Sequence, residues 1–151
     1  MALKRSSDIQ GGSSYFKPAE HDKAVALLIE PLSVQRDVQY TPYQAKPGVT
    51  DNRDEVTADV TVFASAADLA AGKGVEVKGM TFTHKAITSR LSRVVGDQVV
   101  GVMGKKQFEN SAAPAWVIDE VDDATFEKVA AYYEAREAAV AAALADVPSF
   151  G

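Results

Sequence analysis

The chain has 151 residues, 46% of them hydrophobic and 25% charged, with a formal net charge of −5, which suits one domain large enough to bury its own core. It contains no cysteine, so disulfides, thiolate metal sites and cysteine nucleophiles are excluded. Residues 138–145 form an apolar run that is mostly alanine and far short of the ~20 residues a membrane span needs; Lys4 and Arg5 precede no apolar signal segment, so a cytoplasmic protein without a membrane partner is expected.

Residues 1–20 are polar, hold Gly11-Gly12-Ser13-Ser14 and read as a flexible arm. A first strand opens near Asp22, with Val25, Leu27 and Ile29 on one face and Leu32 and Val34 beyond Pro31. Proline within it predicts an edge or a bulge. Residues 37–53 hold Pro42, Pro47-Gly48 and Asp51-Asn52 and read as a long loop. The second strand, 54–64, alternates Val56, Ala58, Val60 and Val62 with Thr57, Asp59, Thr61 and Phe63, a half-buried pattern whose solvent face ends in phenylalanine.

Residues 65–73 can form one helical turn before Gly72-Lys73-Gly74. In the third strand Val75 and Val77, then Met80 and Phe82, point one way, and Gly79 stands where the alternation slips by a residue, as at a bulge. Thr83 can cap a short helix carrying Ile87, Leu91 and Val94 or Val95, with Gly96 as its C-terminal stop. Val99, Val100, Val102 and Met103 make a fourth strand; 105–114 is a second loop, and 115–121 a fifth strand with Trp116, Val117 and Ile118. Asp122 and Asp123 suit the start of a helix running to about residue 145. Its Phe126, Tyr133, Val140 and Val147 recur every seven residues, with Val129 or Ala130 and Leu144 between them, a stripe that must pack on the sheet or on a partner's helix.

Charge is uneven along the chain. Residues 73–108 carry seven bases against two acids, whereas 109–151 carry two bases against nine acids; such a chain can fold into a two-sided surface. Motifs for catalysis are missing. His21 and His84 have no second ligand at metal spacing, and Gly72-Lys73-Gly74 lacks the first glycine and the hydroxyl residue of a phosphate loop. Asp119, Glu120, Asp122 and Asp123 lack the glycine and spacing of a calcium loop. Neither an enzyme nor a bound cofactor or metal is expected.

The predicted order, five strands with a short helix between the third and fourth, is that of a mainly β, five-stranded OB-fold-like barrel over residues 21–121, followed by a C-terminal helix and short tail over 122–151. In that architecture ligands lie across strands two and three, between the loops joining strands one to two and four to five. Both loops combine aromatics with bases: Tyr40, Tyr43, Lys46 and Arg53 in the first, Lys105, Lys106 and Phe108 in the second. Phe63 and Lys78 would face outward between them, and Trp116 offers a further ring. Bases stacking on rings while amines follow phosphates is the chemistry of single-stranded DNA binding, at roughly 1–3 kcal/mol per stack.

Taken together, residues 22–121 resemble an OB-fold single-stranded DNA-binding protein of the small phage-encoded kind, a likeness of architecture rather than of a signature motif. The ending Asp146-Val147-Pro148-Ser149-Phe150-Gly151 is similar to the acidic tail ending in Asp-Ile-Pro-Phe of bacterial single-stranded DNA-binding proteins. It departs in the serine between Pro148 and Phe150, in Gly151, and in having a single adjacent acid. The resemblance implies a partner in single-stranded DNA, replication or recombination proteins as further partners, and a homodimer through the C-terminal helix. The other reading is a non-enzymatic interaction or virion structural module on a small β-barrel.

Overall fold

A computed structural model describes residues 15–40, 51–109 and 113–145, with 37–40 and 51–53 described by backbone alone. Five strands, β1 (Ala26–Tyr40), β2 (Asp51–Phe63), β3 (Val75–Phe82), β4 (Val99–Lys106) and β5 (Ala115–Asp119), form one antiparallel sheet in the order β3-β2-β1-β4-β5. Three helices accompany them: α1 (Ala66–Ala70), α2 (Lys85–Leu91) and α3 (Asp123–Ala145). The mainly β architecture with a C-terminal helix is as the sequence predicts. Closure is not: among the described residues no strand pairing joins β3 to β5, and the sheet is open.

β1 is the spine. Its start is buried on both faces, which sheet strands allow because successive side chains point to opposite sides. Leu27 and Ile29 enter a main core with Val56, Val60, Phe82 and Ile118, while Ala26 and Leu28 enter a second core with Phe63, Leu69 and Val129. All five strands contribute to the main core, and Ile87 and Leu91 of α2 complete it. α2 is only seven residues long yet touches both β2 and β5, which three intervening strand spacings permit only if the sheet curls.

Bulges provide the curl. The β1–β2 register shifts between Pro31 and Ser33, and the β2–β3 register shifts between Ala58 and Val60. Gly79 sits at the second shift with φ +69, and its N–H donates to Asp59 Oδ1 at 2.9 Å. Pro31 and Gly79 therefore act as predicted.

Three boundaries differ from expectation. Residues 37–40 and 51–53, read as loop, continue β1 and β2, so the connection narrows to 41–50, outside the described residues. α2 is capped at His84 rather than Thr83 and ends at Leu91; Gly96 lies beyond it with φ +91, its N–H bonded to the Pro31 carbonyl at 3.0 Å. Within the predicted arm, Phe16 and Pro18 are buried: Phe16 is 1% exposed and stacks on Phe82 at 4.4 Å, and its N–H donates to the Thr81 carbonyl. Tyr15 forms a parallel bridge with Thr81, so this segment takes the outer edge of β3 that a closing β5 would have used. Residues 1–14 and 146–151 lie outside the described residues.

α3 docks on the outer face of the sheet. Val129 is fully buried, and Tyr132 and Tyr133 are half-buried; Tyr132 meets Phe63 edge-on at 5.1 Å. One turn later the Arg136 Nη2 donates to Glu30 at 2.7 Å, and its Nη1 lies 3.9 Å from Glu76. Burial alone would lower the Arg136 pKa, but the Glu30 hydrogen bond and the charges of Glu30, Glu76 and Glu137 raise it, so the guanidinium stays charged. At the helix start the Asp122 carboxylate accepts from the Thr125 N–H at 2.7 Å. Hydrogen bonds from the Thr125 side chain and backbone hold its pKa below the ordinary carboxylate value. The folded-state value lies below the unfolded one, so this stabilisation is present at neutral pH and is lost as pH falls through the folded pKa.

The docked face is thus 129, 132, 133 and 136, at helical spacing. The predicted stripe shares Val129 and Tyr133 with this face but also includes Phe126, which is 52% exposed. Replacing Val129 by alanine should cost about 2 kcal/mol of stability in urea denaturation, whereas Phe126→Ala should change it by less than about 0.5 kcal/mol. The reverse order would place α3 in another rotation on the sheet.

Candidate nucleic-acid interface

The predicted site residues separate into three groups. Tyr40 pairs with Asp51, and Arg53 with Val38, at the far end of the β1–β2 ribbon; Tyr43 and Lys46 lie outside the described residues. β1 and β4 meet only at Leu27–Ile29 and Gly101–Val99, and run antiparallel. From that contact β1 travels toward Tyr40 and β4 travels the opposite way toward Lys106, so Tyr40 and Lys106 lie at opposite ends along the strand direction.

Between them, the outer face of β1–β2–β3 is not the expected platform. Phe63 is fully buried beneath Tyr132, so its ring is a core element and cannot stack on a base. Alternation placed it correctly on the outer face but could not reveal that α3 covers that face. Where the face is open it is acidic: Glu30 and Asp59 stand directly opposite each other in register, with Glu76 nearby on β3. Lys78 is exposed but pairs with Glu76 at 3.8 Å.

The third group does come together. Lys105 faces Trp116 and Lys106 faces Ala115 across the β4–β5 ladder. The Lys105 ammonium lies 4.6 Å from the centre of the half-buried Trp116 ring, and the Lys106 ammonium 5.4 Å from Phe108. Since in-register partners share a sheet face, Lys105 and Trp116 lie on the side of Met103 and Ile118, toward the main core. Lys106 lies on the other side with Ala115 and Val117.

That other side forms a groove with α2. Lys85, Ala86, Ser89 and Arg90 make one wall, and Lys106, Phe108, Ala115, Val117 and Asp119 the other, around about 590 Å³. The geometry follows from the short helix. Ile87 and Leu91 point into the main core, which turns positions 85, 86, 89 and 90 outward on the opposite face. Arg90 Nη1 donates to the Ile118 carbonyl at 3.1 Å, tying α2 to β5. Among the described residues none of Lys85, Arg90 and Lys106 is held in an ion pair with a carboxylate.

Lys85 and Arg90 were not singled out from the sequence, although both belong to its base-rich segment. The signal lay in their spacing, one face of a helix whose other face is Ile87 and Leu91. No group of acidic or histidine side chains suited to a metal ion occurs among the described residues, and no helix among them is long and apolar enough to cross a membrane. Comparison with known protein families, with curated proteins and with solved structures gave no match.

The hairpin geometry has a spectroscopic consequence, because Trp116 is the sole tryptophan. Lys105→Met should shift Trp116 emission and raise its quenching by acrylamide, while costing less than about 1 kcal/mol, as for an exposed cation–π pair. An unchanged emission and quenching constant would mean that the ammonium does not cover the ring in solution.

Proposed function

We propose that this protein is a non-enzymatic single-stranded DNA-binding protein of the OB-fold kind, acting in replication or recombination with little sequence preference. Its strand-binding surface is the groove between α2 and the β4–β5 hairpin rather than the outer face of β2–β3. One observation carries the reading: Lys85, Arg90 and Lys106, none of them in an ion pair with a carboxylate among the described residues, line one groove with Phe108 in a chain whose net charge is −5. Amines there would follow phosphates while Phe108 would receive a base; Trp116, on the hairpin's other face, would report binding through its fluorescence. A central β1, the helix after β3 and a core fed by every strand are compatible with a partly open five-stranded Greek-key barrel. Tyr40 and Arg53, at the end of the β1–β2 ribbon, would form a second, outlying contact together with Tyr43 and Lys46 of the segment between them.

Titration with oligo-dT at low salt tests this, with Trp116 fluorescence as the readout. Binding should weaken steeply with salt, and Lys85→Ala with Lys106→Ala should flatten the log–log salt slope by about 0.7 per phosphate contact removed. Tyr40→Ala with Tyr43→Ala should weaken binding with little change in melting temperature. Absence of binding at low salt would overturn the function.

A second reading, self-association, is favoured by the far half of α3. Val140 and Leu144 are 49% and 67% exposed, and residues 138–145 carry no charge, so a symmetric copy would meet no like-charge repulsion. Two grooves on one strand would then raise affinity through effective concentration. Light scattering at micromolar concentration should show a dimer that Leu144→Glu dissociates; a monomeric wild type would exclude it.

A further inference from the structure

The groove holds three bases but also one acid, Asp119. A carboxylate beside a phosphate backbone is repulsive, so its position there calls for a hydrogen-bond donor from another part of the ligand. The neighbouring strand leaves room for the carboxylate: a Cβ on Gly104 would collide with Asp119 Oδ2. The carboxylate therefore lies over bare backbone, at the end of β5 and across the groove from Arg90 and Ser89 of α2. Gly104 has no positive φ to explain it; what the glycine supplies is the room in which the carboxylate rests.

We infer that Asp119 is a specificity-determining residue that makes the groove favour bases with an exocyclic amino group, cytosine over thymine. This deepens, and rests on, the single-stranded DNA reading of the same groove. A carboxylate accepts from the cytosine N4 amino group, whereas thymine presents O4, a second acceptor, at that position. Both are pyrimidines of similar size, so stacking on Phe108 and phosphate contacts to Lys85, Arg90 and Lys106 do not discriminate between them. The lysines and arginine would supply most of the affinity, and Asp119 a modest preference imposed on it.

The test compares oligo-dC with oligo-dT of equal length at mildly alkaline pH, where cytosine is neutral. Wild-type protein should bind oligo-dC roughly three- to ten-fold more tightly, the range of a partly solvated hydrogen bond. Asp119→Ala should bring that ratio close to one while leaving oligo-dT affinity unchanged or slightly improved, because a negative charge leaves the groove. Gly104→Ala, which displaces the carboxylate without removing it, should lower the ratio in the same direction. Equal affinity of the wild type for both oligonucleotides, or a ratio that survives Asp119→Ala, which removes the acceptor altogether, overturns the role of Asp119 and leaves strand binding standing. Failure to bind either oligonucleotide overturns both.

Discussion

Everything in this fold is hung on the first four residues of β1. Ala26, Leu27, Leu28 and Ile29 are all at most 1% exposed, which is possible only for a strand covered on both faces and paired on both edges. β2 takes one edge and β4 the other; the main core with α2 covers one face, and α3 with Phe63 covers the second. A single polar residue at Leu27 or Leu28 would strand a donor or acceptor between two apolar layers. The remainder of β1 escapes this constraint. Beyond Pro31 only β2 accompanies it, and Leu32 is already 54% exposed.

The same two-sided burial decides where a ligand can sit. α3 occupies the outer face near Phe63, and the rest of that face is held by a small ionic network. Glu30 and Asp59 would repel each other as directly opposed neighbours, and each is answered separately, Glu30 by the half-buried Arg136 and Asp59 by the Gly79 N–H at the bulge. These acids complete the fold and disfavour an anionic ligand. The bases collect instead where, among the described residues, β5 has no strand partner on its outer side and α2 lies against it. Phe16 donates to the Thr81 carbonyl on the β3 edge, and Arg90 donates to the Ile118 carbonyl of β5, so each of the two edges that would close a barrel has a local partner at one point.

Much of the sheet was legible because period-two alternation survives in β2 and β3, and because Pro31 and Gly79 can be accommodated there only as irregularities. What alternation cannot convey is which outer face acquires a cover. Phe63 reads as a solvent-facing ring for that reason, although it is a core residue beneath Tyr132. The stripe along α3 is right for Val129 and Tyr133 but not for Phe126 and Val140, which are exposed: a straight helix on a sheet face uses 3.6-residue spacing, which brings in Tyr132 and Arg136. Residues 37–40 and 51–53 join the ribbon despite polar, turn-forming neighbours, because cross-strand pairing overrides local preference. Of the groove, Lys106 and Phe108 are visible in the sequence as an aromatic-basic loop, whereas Lys105 of the same loop and Trp116 fall on the hairpin's other side. Lys85 and Arg90 required knowing that α2 turns its polar face toward β5.

The most direct measurement is a map of backbone amide shifts on titrating the ¹⁵N-labelled protein with a short single-stranded oligonucleotide. Shifts centred on Lys85, Ser89, Arg90, Lys106, Phe108 and Val117 are expected, with Thr57, Asp59 and Glu76 on the acidic outer face unmoved. Shifts centred on that acidic face, or none anywhere at low salt, would contradict a strand-binding groove between α2 and β5.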